Sequence, residues 1–259
     1  MSKKIADAFR KGKAFIPFIT AGDPDLESTE RFILAMAEAG ADMVEIGIPF
    51  SDPIAEGVVI QEADIRALQS GTTTDKVFEM TKRLSEKVDI PLVYMTYLNI
   101  VYYYGYDRFF RKWQEAGMCG IIIPDMPYEE KDECDSIAAS YGVEVVSMIA
   151  PTSEERIRKI ASGARGFIYV VSSMGVTGVR SSITTDLDTI LRHIREASDV
   201  PAAIGFGIST PDQAKKMASI SDGAIVGSAI VKIIAGYGQE AEPYVSAYVK
   251  EMAEAVHSL

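Results

Sequence analysis

Eight short apolar runs recur along the chain: Phe15–Thr20, Met43–Ile46, Leu92–Thr96, Gly120–Pro124, Glu144–Ile149, Gly166–Val171, Ala202–Gly205 and Gly223–Gly227. They show no regular alternation with polar residues. A strand with one wet face alternates apolar and polar side chains, whereas a parallel strand covered on both faces reads as a continuous apolar run. The chain is therefore expected to build a parallel sheet covered on both sides. The segments between the runs have helical period. Phe32, Ile33, Met36 and Ala37 share one face, with Gly40 at its end. Val77, Met80, Leu84 and Val88 line a second stripe, and Leu187, Ile190, Leu191 and Ile194 a third. Thr152-x-x-Glu155 is a capping box. Thr210-Pro211-Asp212-Gln213 offers an N-cap, a proline at the first helical position and a glutamine at the third. The chain ends on a helix carrying Val245, Val249, Met252 and Val256 on one side.

Eight strand–helix units in 259 residues predict an α/β fold, a single (β/α)8 TIM barrel. The rival is an open doubly wound sheet, but no G-x-G-x-x-G loop follows the first strand, and the glycine-rich strand ends come late. Residues 1–259 contain no linker or shift of composition, so one domain is expected. An extra N-terminal helix, about Ser2–Lys11, is expected to precede the first strand. Two connections are long, Gly47–Thr74 and Ser172–Thr184. In a barrel both lie at the C-terminal end of the strands, where loops of that length are usually functional.

The net charge is −11, from 37 acids against 26 bases. This disfavours nucleic acid and anionic membrane as partners, so a bound phosphate must be held by local geometry. No apolar run approaches a membrane span and no signal peptide is visible. The two cysteines, Cys119 and Cys134, form no C-x-x-C pair. A cytoplasmic location follows as the expectation.

Three segments read as a phosphate grip: Ser173–Gly178 after the sixth strand, Gly205-Phe206-Gly207-Ile208-Ser209 after the seventh, and Gly227-Ser228-Ala229-Ile230 after the eighth. Glycine lets backbone amides approach an anion, and a helix N-terminus adds unpaired donors. At the second strand, an apolar run ends on Glu45, and the following Gly/Pro/Ser/Asp loop carries Glu56. Two such carboxylates can form an acid/base pair. Read alone, Glu45 serves equally as a salt-bridged strand end, and Glu56 as a solvated loop acid. Asp52 before Pro53 reads as a turn residue. Asp125 ends the fourth strand, where it is structural or orients a ligand. Tyr97 and Asn99 are loop polars, and Tyr169 is a core residue whose hydroxyl needs a partner. His193 and His257 lie in helical patterns away from the strand ends, and no metal site is expected. Trp113 and Tyr102–Tyr104 suit packing or an interface.

Taken together, Phe18–Pro24, Glu45–Pro53, Gly175–Gly178, Gly205–Ser209 and Gly227–Val231 make the chain resemble, end to end, the α subunit family of tryptophan synthase. The resemblance implies a (β/α)8 lyase that cleaves indole-3-glycerol phosphate to indole and glyceraldehyde 3-phosphate by a retro-aldol reaction. It implies no cofactor of its own, pyridoxal phosphate belonging to the β subunit, which is the expected partner in an α2β2 tetramer. It gives Glu45 the protonation of the indole C3 and Glu56 the indole N–H. It places Phe18, Tyr97, Asn99, Asp125, Tyr169 and Thr177 at pocket or lid positions. The phosphate falls to the backbone near Gly178, Gly205, Phe206, Gly207, Gly227 and Ser228. The chain departs from the family at Glu56, where an aspartate is usual, at Val58 and Val59, which replace proline and a small polar residue, and at Ser173, where many members carry arginine. Two further readings stay open: a free-standing indole-producing lyase with the same chemistry, and, motivated by Glu56, a non-catalytic subunit that binds phosphate ligands and activates its partner allosterically.

Overall fold

The computed structural model describes residues 4–172 and 186–259. Its eight strands are β1 (Ala14–Thr20), β2 (Val44–Gly47), β3 (Leu92–Met95), β4 (Gly120–Ile122), β5 (Glu144–Ile149), β6 (Ile168–Val171), β7 (Ala202–Gly205) and β8 (Gly223–Val226). They pair in parallel and in chain order, and β1 closes on β8. The register sets Phe18 beside Glu45, and Glu45 beside Val93.

Strand alternation divides the apolar side chains into two shells. Ile16, Met43, Val93, Ile122, Phe167 and Ile225 fill the barrel interior. Phe15, Val44, Tyr94, Val145, Ile204 and Val226 point outward into a core shared with the helices. Both faces of every strand are thus covered, which is why the runs lack polar alternation. At the N-terminal end of the barrel, Ile5 is fully buried among the interior residues. It sits on a 3-10 helix, Ile5–Phe9. Within the described part of the expected helix over Ser2–Lys11, the Asp7 carboxylate accepts the Lys4 amide at 2.8 Å, and a tight 3-10 turn forms in place of an α-helical ladder.

The helices are α1 (Leu26–Glu38), α2 (Val58–Gln69), α3 (Thr74–Ser85), α4 (Leu98–Tyr104), α5 (Tyr106–Glu115), α6 (Lys131–Ser140), α7 (Glu154–Ser162), α8 (Leu187–Ala197), α9 (Pro211–Ile220), α10 (Ser228–Tyr237) and α11 (Glu242–His257). Two correct the sequence reading. The stretch Gly47–Thr74 is not one long loop, because α2 occupies its middle. Its first residues, Val58, Val59 and Ile60, are β-branched, and its N-cap, Gly57, supplies no side-chain bond. The residues after β3 are likewise a helix: Tyr97 is the N-cap of α4, and Asn99 lies in its first turn. Among the described residues, no helix is long and apolar enough to cross a membrane.

Candidate active site

The inward side chains near the C-terminal ends of the strands line one cavity. Phe18 comes from β1, Glu45 from β2, Met95 from β3, Met148 from β5, Tyr169 from β6 and Ile225 from β8, with Glu56, Gly207, Gly227 and Ser228 added by the loops above. The lining is mainly apolar, with two carboxyl groups facing it.

Glu45 is fully buried, and neither carboxyl oxygen has a hydrogen-bond partner among the described residues. Burial pushes its proton affinity well above the usual carboxylate range, and the charge of Glu56 pushes it further. A carboxyl group in such surroundings is held as the neutral acid and has a proton to give. Tyr169 is also buried. Burial first, then the nearby carboxyl groups of Glu45 and Glu56, keep its hydroxyl protonated. Gly205 makes room for it, since a Cβ there would collide with the Tyr169 ring.

Glu56 is only 6% exposed, unlike the solvated loop acid it suggests when read alone. Its loop is tied down on both sides. The Ala55 amide donates to the Tyr97 hydroxyl at 3.0 Å, and the Gln61 side-chain amide of α2 donates to the Glu56 carbonyl at 2.8 Å. Tyr97 packs its ring on Phe50, with centroids 5.3 Å apart. Asp125, at the end of β4, accepts the Leu98 amide at 2.8 Å and so fixes the start of α4. Its carboxyl is pushed up by burial, and the Leu98 bond opposes that shift.

Across the cavity, the loop after β7 has an unusual backbone. Phe206 has φ +75° and Gly207 φ +79°. A non-glycine residue in the left-handed region costs about 1–3 kcal/mol and is kept where the surroundings fix it. Here the Ser172 hydroxyl donates to the Phe206 carbonyl at 2.6 Å. The neighbouring helix ends differ. Thr210 and Gln213 close a capping box on α9, so that N-terminus satisfies its own amides. The N-cap of α10, Gly227, supplies no side-chain bond, and Gly227 and Ser228 both line the cavity. Among the described residues, no group of three His, Cys, Asp or Glu side chains is placed to hold a metal ion.

A family model described as tryptophan synthase alpha chain matches residues 5–257. The tryptophan synthase alpha chain of Lacticaseibacillus casei is 48% identical over 256 residues, covering 99% of this chain and 96% of that one. The protein of the same name from Lactiplantibacillus plantarum is 51% identical over 249 residues, covering 96% and 94%. The chain belongs to the tryptophan synthase alpha chain family. Solved structures agree with this. Tryptophan synthase of Mycobacterium tuberculosis superposes with a TM-score of 0.89 at 30% identity, covering 99% of both chains. The tryptophan synthase alpha chain of Legionella pneumophila gives 0.89 at 32% identity, covering 100% and 99%.

Among the residues that suggested a tryptophan synthase alpha chain, Phe18, Glu45, Glu56, Tyr169, Phe206, Gly207, Gly227 and Ser228 line the cavity. Tyr97, Asp125 and Gly205 are not lining residues: Tyr97 holds Ala55, Asp125 holds the start of α4, and Gly205 leaves room for Tyr169. Asn99 is exposed on α4 and takes no part in the lining. Ser173, Thr177 and Gly178, with the rest of the first glycine segment, lie outside the described residues. His193 and His257 sit on α8 and α11, away from the cavity. One residue escaped the sequence reading. Asp64 of α2 is buried beside Glu56. Its signal was an acid inside the apolar stripe Ile60, Ala63, Asp64, Ala67.

Proposed function

We propose that the chain, as one domain, cleaves indole-3-glycerol phosphate with Glu45 and Glu56 as its proton-transfer groups. As a member of the tryptophan synthase alpha chain family it is a lyase of tryptophan biosynthesis. The observation that carries the residue assignment is Glu45: a buried acid without a partner among the described residues, facing an apolar cavity that a second carboxyl also faces. Such a group is costly to keep unless it is used.

The proton balance follows. Glu45 gives its proton to the indole C3 while Glu56 takes the proton of the ring nitrogen, and the ring becomes an electron sink. Glu45, now a carboxylate, takes the proton from the hydroxyl on the carbon attached to C3. A carbonyl forms there and the carbon–carbon bond breaks. Its electron pair runs through the ring to the nitrogen, which recovers its proton from Glu56. Both acids end as they began, and the products are indole and glyceraldehyde 3-phosphate. Every step is a proton transfer between substrate and carboxyl or an electron shift within the substrate itself, so the chain needs no cofactor of its own for it. Pyridoxal phosphate is assigned to the partner β subunit, and the work to the cytoplasm.

The substrate phosphate is assigned to the backbone around Gly207, Gly227 and Ser228, with Gly178 as a further contributor. The positive φ at Phe206 and Gly207 and the open N-terminus of α10 support this. A Cβ at Gly227 would sit 3.2 Å from the Phe18 ring. Gly227→Val is expected to raise KM for the phosphorylated substrate by at least ~10-fold, about 1.4 kcal/mol, with a smaller effect on kcat. An unchanged KM in steady-state assays would remove the assignment.

Among the described residues, nine large apolar side chains are exposed, and Ile54, Val58, Ile65, Leu68, Tyr102 and Tyr103 are six of them. All six follow β2 and β3 in the chain, and Ala55, Glu56 and Ile60 of the first stretch line the cavity. This is the surface assigned to the β subunit in an α2β2 tetramer. Indole handed on there would not escape to solvent, and tyrosine suits an interface. Mixed with its cognate β subunit, the chain is expected to co-elute in size-exclusion chromatography and to release indole faster. Indole release from indole-3-glycerol phosphate tests the function itself. Indole without co-elution or a rate change would mark a free-standing lyase, and no indole with or without the partner would overturn the proposal.

A further inference from the structure

Helix α2 buries one acid that the proposed reaction leaves unused. Asp64 is 6% exposed and lies in the covered stripe of the helix. The Phe50 amide, in the loop that carries Glu56, donates to its carboxyl. The groups that face it are unfavourable to a charge. Glu56 comes from the loop after β2, Asp23 from the loop after β1, and the Tyr97 hydroxyl from the start of α4. The guanidinium of Arg66 on the same helix is taken up by Asp23, with two bonds of 2.8 Å. Helix α2 also packs on β1 and α10. Strand β1 has no charged residue, and Lys232 and Tyr237 of α10 are exposed. None of the ion pairs among the described residues includes Asp64. An asparagine would accept the Phe50 amide as well, without the cost of a buried acid. A titratable group kept at that cost beside a reacting carboxyl points to use.

We propose that Asp64 is a positioning residue: it ties the loop that carries Glu56 to α2 and sets the charge that Glu56 meets. This rests on the reading of Glu56 as the proton acceptor. Burial pushes the Asp64 carboxyl up to about 8, with Glu56 and Asp23 adding to the shift and the Phe50 amide opposing it. At neutral pH the acid is uncharged, so Glu56 can carry its charge in a tightly held loop. When Asp64 ionises, two carboxylates share one buried spot. Their repulsion displaces the loop, and Glu56 leaves its working position.

The test compares the parent chain, Asp64→Asn and Asp64→Ala in complex with the β subunit. Parent kcat is expected to fall as pH rises through about 8. Asp64→Ala loses at least ~10-fold in kcat at neutral pH, with KM changed less, because position and not binding is lost. Asp64→Asn restores most of that loss and removes the alkaline fall. A second readout does not depend on activity. The folded state holds the Asp64 proton more tightly than the unfolded state, so the parent loses stability as pH rises from 3.8 toward about 8. The gain in Tm of Asp64→Asn over the parent therefore grows across that window and levels off above it. A parent that makes no indole would refute the proposed function, and the Tm comparison would still decide on Asp64. Identical pH–rate profiles for the parent and Asp64→Asn, or a Tm difference that does not change with pH, would overturn the inference.

Discussion

Glu45→Gln is expected to lower indole formation at least ~100-fold while the chain stays folded. Glutamine matches the shape of the neutral acid and is itself uncharged, so the barrel interior loses no ion pair and gains no cavity. It has no proton to release to C3 and cannot take one from the substrate hydroxyl. Both halves of the carbon–carbon cleavage therefore fail together, and kcat falls more than KM. Stability should move the other way. Because the folded state holds the Glu45 proton above the usual carboxylate range, the parent loses stability as pH rises above the unfolded carboxyl range. The glutamine variant escapes that loss, so its Tm advantage widens toward alkaline pH. Near-normal turnover in Glu45→Gln would contradict the assignment.

Glu56→Gln is the second large effect. A glutamine cannot accept the indole N–H proton, and a loss in the ~10²–10⁴-fold range of acid–base catalysis is expected. Glu56→Asp is the informative companion. The loop backbone is pinned by the Tyr97 hydroxyl at Ala55 and by Gln61 at the Glu56 carbonyl, so it does not simply follow a shorter side chain. The carboxylate is drawn back by roughly an ångström, which lowers the rate without removing the base. The expected order in indole-release assays is parent, then Asp, then Gln. Equal rates for parent and Glu56→Gln would remove the role, and with an inert parent the non-catalytic subunit would become the better reading.

The barrel was legible because burial on both faces writes itself into each strand; Glu144–Ile149 and Ala202–Gly205 match the expected runs residue for residue. Glu45 was legible for the same reason, as an acid on an otherwise apolar strand. What escaped depends on contacts between distant segments. Helix α2 begins with β-branched residues and has an acid in its buried stripe, so neither its caps nor its periodicity announce it. The loop that carries Glu56 is held by Tyr97 from beyond β3, which no local pattern around residue 56 contains. The left-handed Phe206 is held by Ser172 from another loop, and an isolated phenylalanine gives no sign of it. Asn99 read as a pocket residue only through the family resemblance; the first turn of α4 turns it to solvent.

The central claim is that Glu45 stands in the free enzyme as a neutral acid, poised to protonate carbon. Carbon-13 NMR of the glutamate carboxyls, with the Glu45 signal assigned from Glu45→Gln, measures this directly. The account predicts a Glu45 that titrates well above the ordinary carboxylate value of 4.5 and shifts down in Glu56→Gln as the neighbouring charge is removed. A Glu45 that titrates near 4.5 and ignores residue 56 would contradict it.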